Sequence, residues 1–180
     1  MEAPARKNLE NSETGLMLRP EKPEDRPFLF RLYARTREEE LSLTGWSRSE
    51  KEAFLEMQFR SQQEDYHRRF PDGEFFVIVC HEEPAGRITL HRGAREIRVV
   101  DLIVSPEWRG RGLGTILLRR ILEEAEQKNK IVRLHALKAE RAVRLYQRLG
   151  FSVISDNGIY LEMERRPSTL GRATPVESAD

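Results

Sequence analysis

The 180-residue sequence has a single cysteine, Cys80, which excludes an internal disulfide and a cysteine-rich zinc site. It has no apolar run near the ~18 residues that a membrane-spanning helix needs. Its first residues, MEAPARKNLENSE, lack the apolar stretch that follows the basic residues of a secretory signal. These absences predict a cytoplasmic protein that does not insert into a membrane.

The sequence also lacks an excess of either charge. Thirty-one basic residues balance 30 acidic ones, for a net charge of +1, so a dedicated nucleic-acid-binding protein is not expected. The histidines show none of the spacings typical of metal ligands, and no metal is predicted; they are His67, His81, His91 and His135.

The composition predicts one domain between two tails. Residues 1–14 are polar and without periodicity, and residues 167–180 are rich in Pro, Ser, Thr, Gly and Ala. Such segments cannot bury enough apolar surface to order themselves, so both are expected to be disordered. Residues 15–166 then form the domain.

The hydrophobic periodicity predicts the element order βααβββαβαββ. Ser47 and Glu50 form a capping box that starts the second helix, whose sparse apolar positions are Phe54, Met57, Phe59 and Tyr66. A meander of strands followed by one βαβ crossover predicts an α/β fold with helices flanking a mixed, mostly antiparallel sheet that has one parallel connection.

A glycine-rich segment at residues 105–115, SPEWRGRGLGT, lies between a predicted strand and a predicted helix. Glycines let backbone N–H groups turn inward, and a helix N-terminus adds positive potential, so the segment suits a di- or polyphosphate. No lysine follows the glycines, which excludes a P-loop, and their GxGxG spacing is not the GxGxxG of a dinucleotide fold.

The pattern Arg109-x-x-Gly112-x-Gly114 resembles the [Q/R]xxGx[G/A] acetyl-CoA signature of the GCN5-related N-acetyltransferase (GNAT) superfamily. The later segment ERAVRLYQRLGF is similar to the A-x-x-L-Y-x-x-x-G-F element of that family. The resemblance covers residues 15–166 and implies the GNAT fold, with acetyl-CoA as cosubstrate. It also implies direct acetyl transfer to a primary amine of a small molecule or peptide.

The alternative function is a non-catalytic CoA-binding sensor or interaction module. Dimers are common in the family, so a homodimer is a further expectation.

The resemblance also implies which residues hold the cofactor. Backbone groups of the fourth strand would pair with the pantetheine and donate to the oxyanion; they belong to Leu102, Ile103 and Val104. The pyrophosphate would be bound by Arg109, Gly110, Arg111, Gly112, Leu113, Gly114 and Thr115. The asparagine that many family members carry six or seven residues before the tyrosine is replaced here by Ala139 and Glu140.

Two residues are candidates for proton transfer. Tyr146 matches the family tyrosine whose hydroxyl approaches the CoA sulfur, and it is also compatible with simple packing on a helix face. Counting by twos places Asp101 on one strand face with Ile97, Val99 and Ile103. A carboxylate on this apolar face is either a general base or an aspartate fixed by backbone N–H groups. Glu96, Glu74 or a chain of waters are other candidates for the base.

Overall fold

The computed structural model of the chain describes residues 15–139 and 142–168. The predicted tails therefore lie outside the described residues, apart from Pro167 and Ser168. Within the described ranges no helix is long and apolar enough to cross a membrane.

The elements follow the predicted order. They are β1 (Leu16–Pro20), α1 (Arg26–Ser42), α2 (Arg48–Arg69), β2 (Glu74–Cys80), β3 (Glu83–Arg92), β4 (Glu96–Val104), α3 (Leu113–Gln127), β5 (Ile131–Leu137), α4 (Ala142–Arg148), β6 (Ser152–Asp156) and β7 (Tyr160–Arg165).

The strands form a seven-stranded sheet in the order β1-β2-β3-β4-β5-β7-β6. Strands β4 and β5 are parallel, whereas β1 with β2, β5 with β7 and β6 with β7 are antiparallel. The predicted mixed α/β fold is confirmed. The register of β4 with β5 runs from Glu96↔Ile131 to Val99↔Leu134, although β4 itself continues to Val104.

The chain forms two compact units. The first contains residues 15–89 and Asp101–Leu113, and the second contains Leu90–Val100 and residues 114–168. In the first unit, side chains of α1, α2 and β2 share an apolar cluster formed by Leu29, Tyr33, Phe59, Val77 and Val79. In the second unit, α3, β5 and β7 contribute a separate set of buried side chains: Leu117, Leu118, Ile121, Val132, Leu134 and Met163.

Helix α2 starts as the sequence predicts. The Ser47 hydroxyl accepts from the Glu50 N–H, and the Glu50 carboxylate accepts from the Ser47 N–H. Its inward positions are only partly those predicted, because Phe59 is buried whereas Met57 is exposed. The helix has few apolar residues, so its periodicity alone did not define the buried face.

A buried carboxylate fixes the connection between β1 and α1. Asp25 accepts two hydrogen bonds from the Arg19 guanidinium, at 2.6 and 2.7 Å, and one from the Lys22 N–H at 2.8 Å. The Arg19 hydrogen bonds and the Lys22 N–H hold the pKa of the Asp25 carboxyl below its ordinary value, although burial opposes them. The charged form of Asp25 therefore stabilises the folded state.

We predict that Asp25→Asn lowers the free energy of unfolding at pH 7 by about 2 kcal/mol, within the range for hydrogen bonds to charged groups. The folded pKa of Asp25 is lowered, so this stabilisation is present above the unfolded pKa and is lost as the pH falls through the folded value. Urea unfolding at pH 7 and in acid measures both effects. The control is Glu24→Gln, which changes an exposed acid of the same turn. Equal stability of wild type and Asp25→Asn at pH 7 would contradict the prediction.

Candidate active site

The segment between β4 and α3 forms a compact turn. The Ser105 N–H donates to the Ala85 carbonyl at 2.9 Å, and a short 3-10 turn, Pro106–Trp108, follows. The Trp108 N–H donates to the Ser105 carbonyl and the Arg109 N–H to the Pro106 carbonyl. These backbone hydrogen bonds fix residues 105–109, which directly precede the glycines of the loop.

Two glycines of the loop have left-handed backbone conformations. Gly110 has φ 76° and Gly112 has φ 80°, a region that residues with a Cβ rarely adopt. Gly114 differs, because it lies in the first turn of α3 and a Cβ there would make only an ordinary 3.8 Å contact with Leu145. Gly110 and Gly112 are thus required by the turn itself, whereas Gly114 leaves room beside the helix N-terminus.

The two loop arginines are exposed. The Arg109 Nε donates to the Val104 carbonyl at 3.0 Å, and the Arg111 guanidinium lies 4.6 Å from the centre of the Trp108 ring. In the part of the chain that the structure describes, neither forms an ion pair with a carboxylate. Their positive charge is therefore available to an anion, and the positive end of the α3 dipole has the same sign.

Tyr146 lies on α4, in the second unit, and is 8% exposed. Its ring packs against Phe151 in an edge arrangement with 5.9 Å between centroids, and its carbonyl accepts from the Leu149 and Phe151 N–H groups. The side chain is thus part of the core, as the packing interpretation expects. The ring position is fixed, and the role of the hydroxyl stays a prediction.

Asp101 has a charged partner that the sequence did not reveal. The Arg87 Nε donates to the Asp101 Oδ2 at 2.6 Å, and the Arg87 side chain is 2% exposed, against 16% for Asp101. The face that carries Asp101 is therefore not purely apolar, and the carboxylate is bound by a guanidinium, which neither of the two alternatives for this residue included. Glu96, another candidate base, binds Arg98 and Arg133 in the second unit.

Sequence reasoning missed Arg87 and its helix partner. The Arg87 Nη2 donates to the Gln62 Oε1 of α2 at 2.7 Å, and the guanidinium lies 5.9 Å from the Tyr66 ring centre. A charged residue inside the apolar β3 segment AGRITL was the available signal. Its partners lie 14 and 25 residues away along the chain, which no local pattern connects.

The remaining titratable candidates do not form a site. Cys80 is buried, and burial raises the pKa of its thiol although the charge of Arg111 opposes the shift. Among residues 15–139 and 142–168, no group of three or more His, Cys, Asp or Glu side chains could hold a metal ion.

Comparison with known proteins identifies the family that this chain resembles. The family model described as the acetyltransferase (GNAT) family matches residues 28–151. The spermidine N(1)-acetyltransferase of Escherichia coli strain K12 is 30% identical over 117 residues, which are 60% of this chain and 59% of that protein. The chain thus spans about three-fifths of the length of that relative.

The chain is also similar to a second acetyltransferase in sequence and to a solved structure in fold. A GCN5-like protein acetyltransferase of Mycobacterium tuberculosis is 35% identical over 80 residues, 43% of this chain and 39% of that one. The crystal structure of the PaiA N-acetyltransferase of Thermoplasma acidophilum in complex with coenzyme A has a TM-score of 0.63 and 17% identity. That likeness covers 84% of this chain and 98% of the other, and it shows the fold.

We predict that Gly112→Ala and Gly114→Ala weaken acetyl-CoA binding for different reasons. Alanine at position 112 strains a left-handed turn, so it should also lower the melting temperature. Alanine at position 114 fits the protein and should leave the melting temperature unchanged or higher, because alanine favours helix. Its added methyl group would obstruct only a ligand that approaches the helix N-terminus.

Isothermal titration and thermal melts of both variants separate these effects. Gly158→Ala is the matched control, since Gly158 also has a positive φ of 90° but belongs to the turn between β6 and β7. Wild-type affinity in Gly114→Ala would mean that the phosphates do not approach this helix end.

Proposed function

Because this chain belongs to the acetyltransferase (GNAT) family, we propose that it is an acetyl-CoA-dependent N-acetyltransferase acting on primary amines. The observation that carries the proposal is the loop before α3. Along the chain, two left-handed glycines and two arginines that have no carboxylate partner among the described residues lead directly into a helix N-terminus. This donor set suits the pyrophosphate of CoA, since backbone N–H groups and cations both stabilise phosphate oxygens. Leu113, Gly114 and Thr115 complete the proposed cradle formed with Arg109, Gly110, Arg111 and Gly112.

The acetyl group would be supplied as the CoA thioester, and the chain's residues then have three tasks. A base takes a proton from the acceptor ammonium, a donor stabilises the negative charge that develops on the acetyl oxygen, and an acid protonates the departing sulfur. We assign the donor to a backbone N–H of Leu102, Ile103 or Val104. In support, β4 runs on to Val104, beyond the last residue of its parallel register with β5.

The acid and the base are assigned to Tyr146 and Asp101. Tyr146 occupies the position of the family tyrosine, and its packing against Phe151 holds the ring in one place. Asp101 lies after the part of β4 that pairs with β5. It directly precedes the proposed backbone donors, Leu102 to Val104, and is the acidic residue nearest to them in sequence. One proton moves from the acceptor ammonium to a carboxylate oxygen of Asp101, and the resulting amine attacks the acetyl carbon to form the carbon–nitrogen bond. When the tetrahedral adduct collapses, the carbon–sulfur bond breaks and Tyr146 protonates the departing thiolate. The nitrogen releases its second proton to water, and the tyrosinate is reprotonated from water.

The acceptor belongs to the class of primary amines. The E. coli relative is named for spermidine, a polyamine, and the M. tuberculosis relative is named for protein acetylation. Both names support an amine acceptor, and together they leave small-molecule and peptide amines as the two classes to compare.

We predict that acetyl-CoA and CoA stabilise the protein far more than NAD or ATP. At a ligand concentration about 100 times the dissociation constant, the gain in unfolding free energy is about 2.7 kcal/mol. Thermal melts measure the gain, and a thiol-release assay with spermidine, lysine, aminoglycosides and peptide N-termini then tests transfer. A melt that does not move with acetyl-CoA contradicts the assignment of the cofactor. Binding without thiol release from any amine would instead indicate a non-catalytic CoA-binding module.

We predict that Tyr146→Phe keeps acetyl-CoA affinity within a few-fold but lowers transfer by about 10²-fold, as expected for loss of one general acid. Phenylalanine keeps the ring that packs on Phe151, and the lost hydroxyl acts only as the thiolate departs, so kcat changes without KM. Single-turnover rates avoid masking by product release. The control is Tyr33→Phe, which changes a buried tyrosine of α1. Unchanged transfer in Tyr146→Phe would leave this tyrosine a packing residue.

A further inference from the structure

A charged side chain is buried in the sheet of the first unit. Arg87 lies in the middle of β3, between Ala85 and Thr89, and its side chain is 2% exposed. Helices α1 and α2 contribute Leu29 and Phe59 to an apolar cluster with Val77 of β2. A buried ion pair rarely adds more stability than apolar residues of the same volume. The stability of the fold therefore does not by itself explain an arginine at this position.

The Arg87 side chain connects three elements, its own strand β3, strand β4 and helix α2. Its Nε, from β3, donates to the Oδ2 of Asp101 on β4 at 2.6 Å. Its Nη2 donates to the Oε1 of Gln62 on α2 at 2.7 Å, and the Tyr66 ring lies 5.9 Å from its centre. One end of the guanidinium is thus fixed by Gln62 of α2 while its Nε binds the Asp101 carboxylate. Asp101 is the more exposed partner, at 16%, and so is the group that a substrate could reach.

The charges of this pair act on two neighbouring groups, Tyr66 and Glu21. Burial and the negative charge of Asp101 raise the pKa of Tyr66 to about 12, so this phenol stays protonated throughout the working range. Burial also raises the pKa of Glu21, while the positive charges of Arg87 and His67 oppose that shift. Asp65 and Arg69 influence Tyr66 from the same helix. Arg87 is therefore the direct cationic partner of Asp101 in this cluster.

We propose that Arg87 is a positioning residue for acetyl transfer: held by Gln62, it keeps the Asp101 carboxylate charged and in one orientation, ready to accept a proton from the acceptor ammonium. This inference rests on the proposed function and deepens it. The amine loses one proton, Asp101 gains it, and the neutral acid then returns the proton to water. The role of Arg87 is to compensate the charged carboxylate for the hydration that it loses on burial.

The test compares Arg87→Met, Arg87→Lys and Gln62→Leu with the wild type. The readout is the pH dependence of kcat/KM with acetyl-CoA and the amine that releases most thiol in the screen above. The acid limb of this profile reports the base of the free enzyme. Without its cation, a part-buried carboxylate keeps its proton to higher pH, so the midpoint of the acid limb should rise by about 1–3 pH units in Arg87→Met.

The other variants separate positioning from folding. Arg87→Lys keeps a cation, so the midpoint of the acid limb should return to the wild-type pH. The value of kcat should stay reduced, because lysine lacks the planar guanidinium that binds Asp101 and Gln62 at the same time. Gln62→Leu leaves the ion pair in place and should lower kcat with a smaller shift of the midpoint. Arg92→Met is the matched control. Arg92 lies on β3, like Arg87, but its ion pair is with Glu124 of α3, so its loss should leave the profile unchanged.

A second readout does not depend on an acceptor. Carbon-13 NMR of the aspartate carboxyl groups, with Asp101→Asn assigning the signal, follows the titration of Asp101 directly. It should move to higher pH in Arg87→Met and return in Arg87→Lys. An Asp101 titration and an acid limb that are the same in wild type and Arg87→Met overturn the inference. Acetyl-CoA binding and transfer by the wild type in that case would leave the proposed function intact, whereas no transfer to any amine would overturn both.

Discussion

Strands β3 and β4 approach so closely at Gly86 that a side chain there would collide with the carbonyl oxygen of Ile103. This contact constrains the second half of β4, and the site depends on it. Next to this contact, the Ser105 N–H donates a hydrogen bond to the Ala85 carbonyl, which fixes the start of the loop before α3. One residue after Gly86, Arg87 reaches Asp101. Three consecutive residues of β3, Ala85 to Arg87, thus contact the start of the loop, the end of β4 and the carboxylate of Asp101.

The arginines of the chain fall into classes that sequence alone does not distinguish. Arg109 and Arg111 are exposed beside a helix N-terminus and have no carboxylate partner in the described ranges, which suits them to bind an anion. Arg87 is buried and compensated, so it cannot move to a ligand and acts through its neighbour. Position relative to solvent, rather than residue type, decides which role each guanidinium can take.

A third class stabilises the second unit. Arg133 of β5 binds Glu96 of β4 and Glu164 of β7, the two adjacent strands. Arg98 binds Glu96 of its own strand and Glu162 of β7. The arginines of β4 and β5 are therefore bound to carboxylates of the sheet and differ from those of the loop. Cross-strand pairs of opposite charge favour one register of a sheet, so these residues support the alignment of β4, β5 and β7.

Local sequence determined the elements, the capping box of α2 and the loop before α3, because helix periodicity, caps and glycine turns depend on neighbours within a few residues. The pattern from Arg109 to Gly114 also indicated a phosphate ligand. Tertiary structure decided the environment of Asp101, since Arg87 and Gln62 come from other elements. It also decided that Met57 faces outward and that Tyr146 packs on Phe151. Hydration, burial and charge pairing depend on which distant segments meet, and only the folded chain brings those segments together.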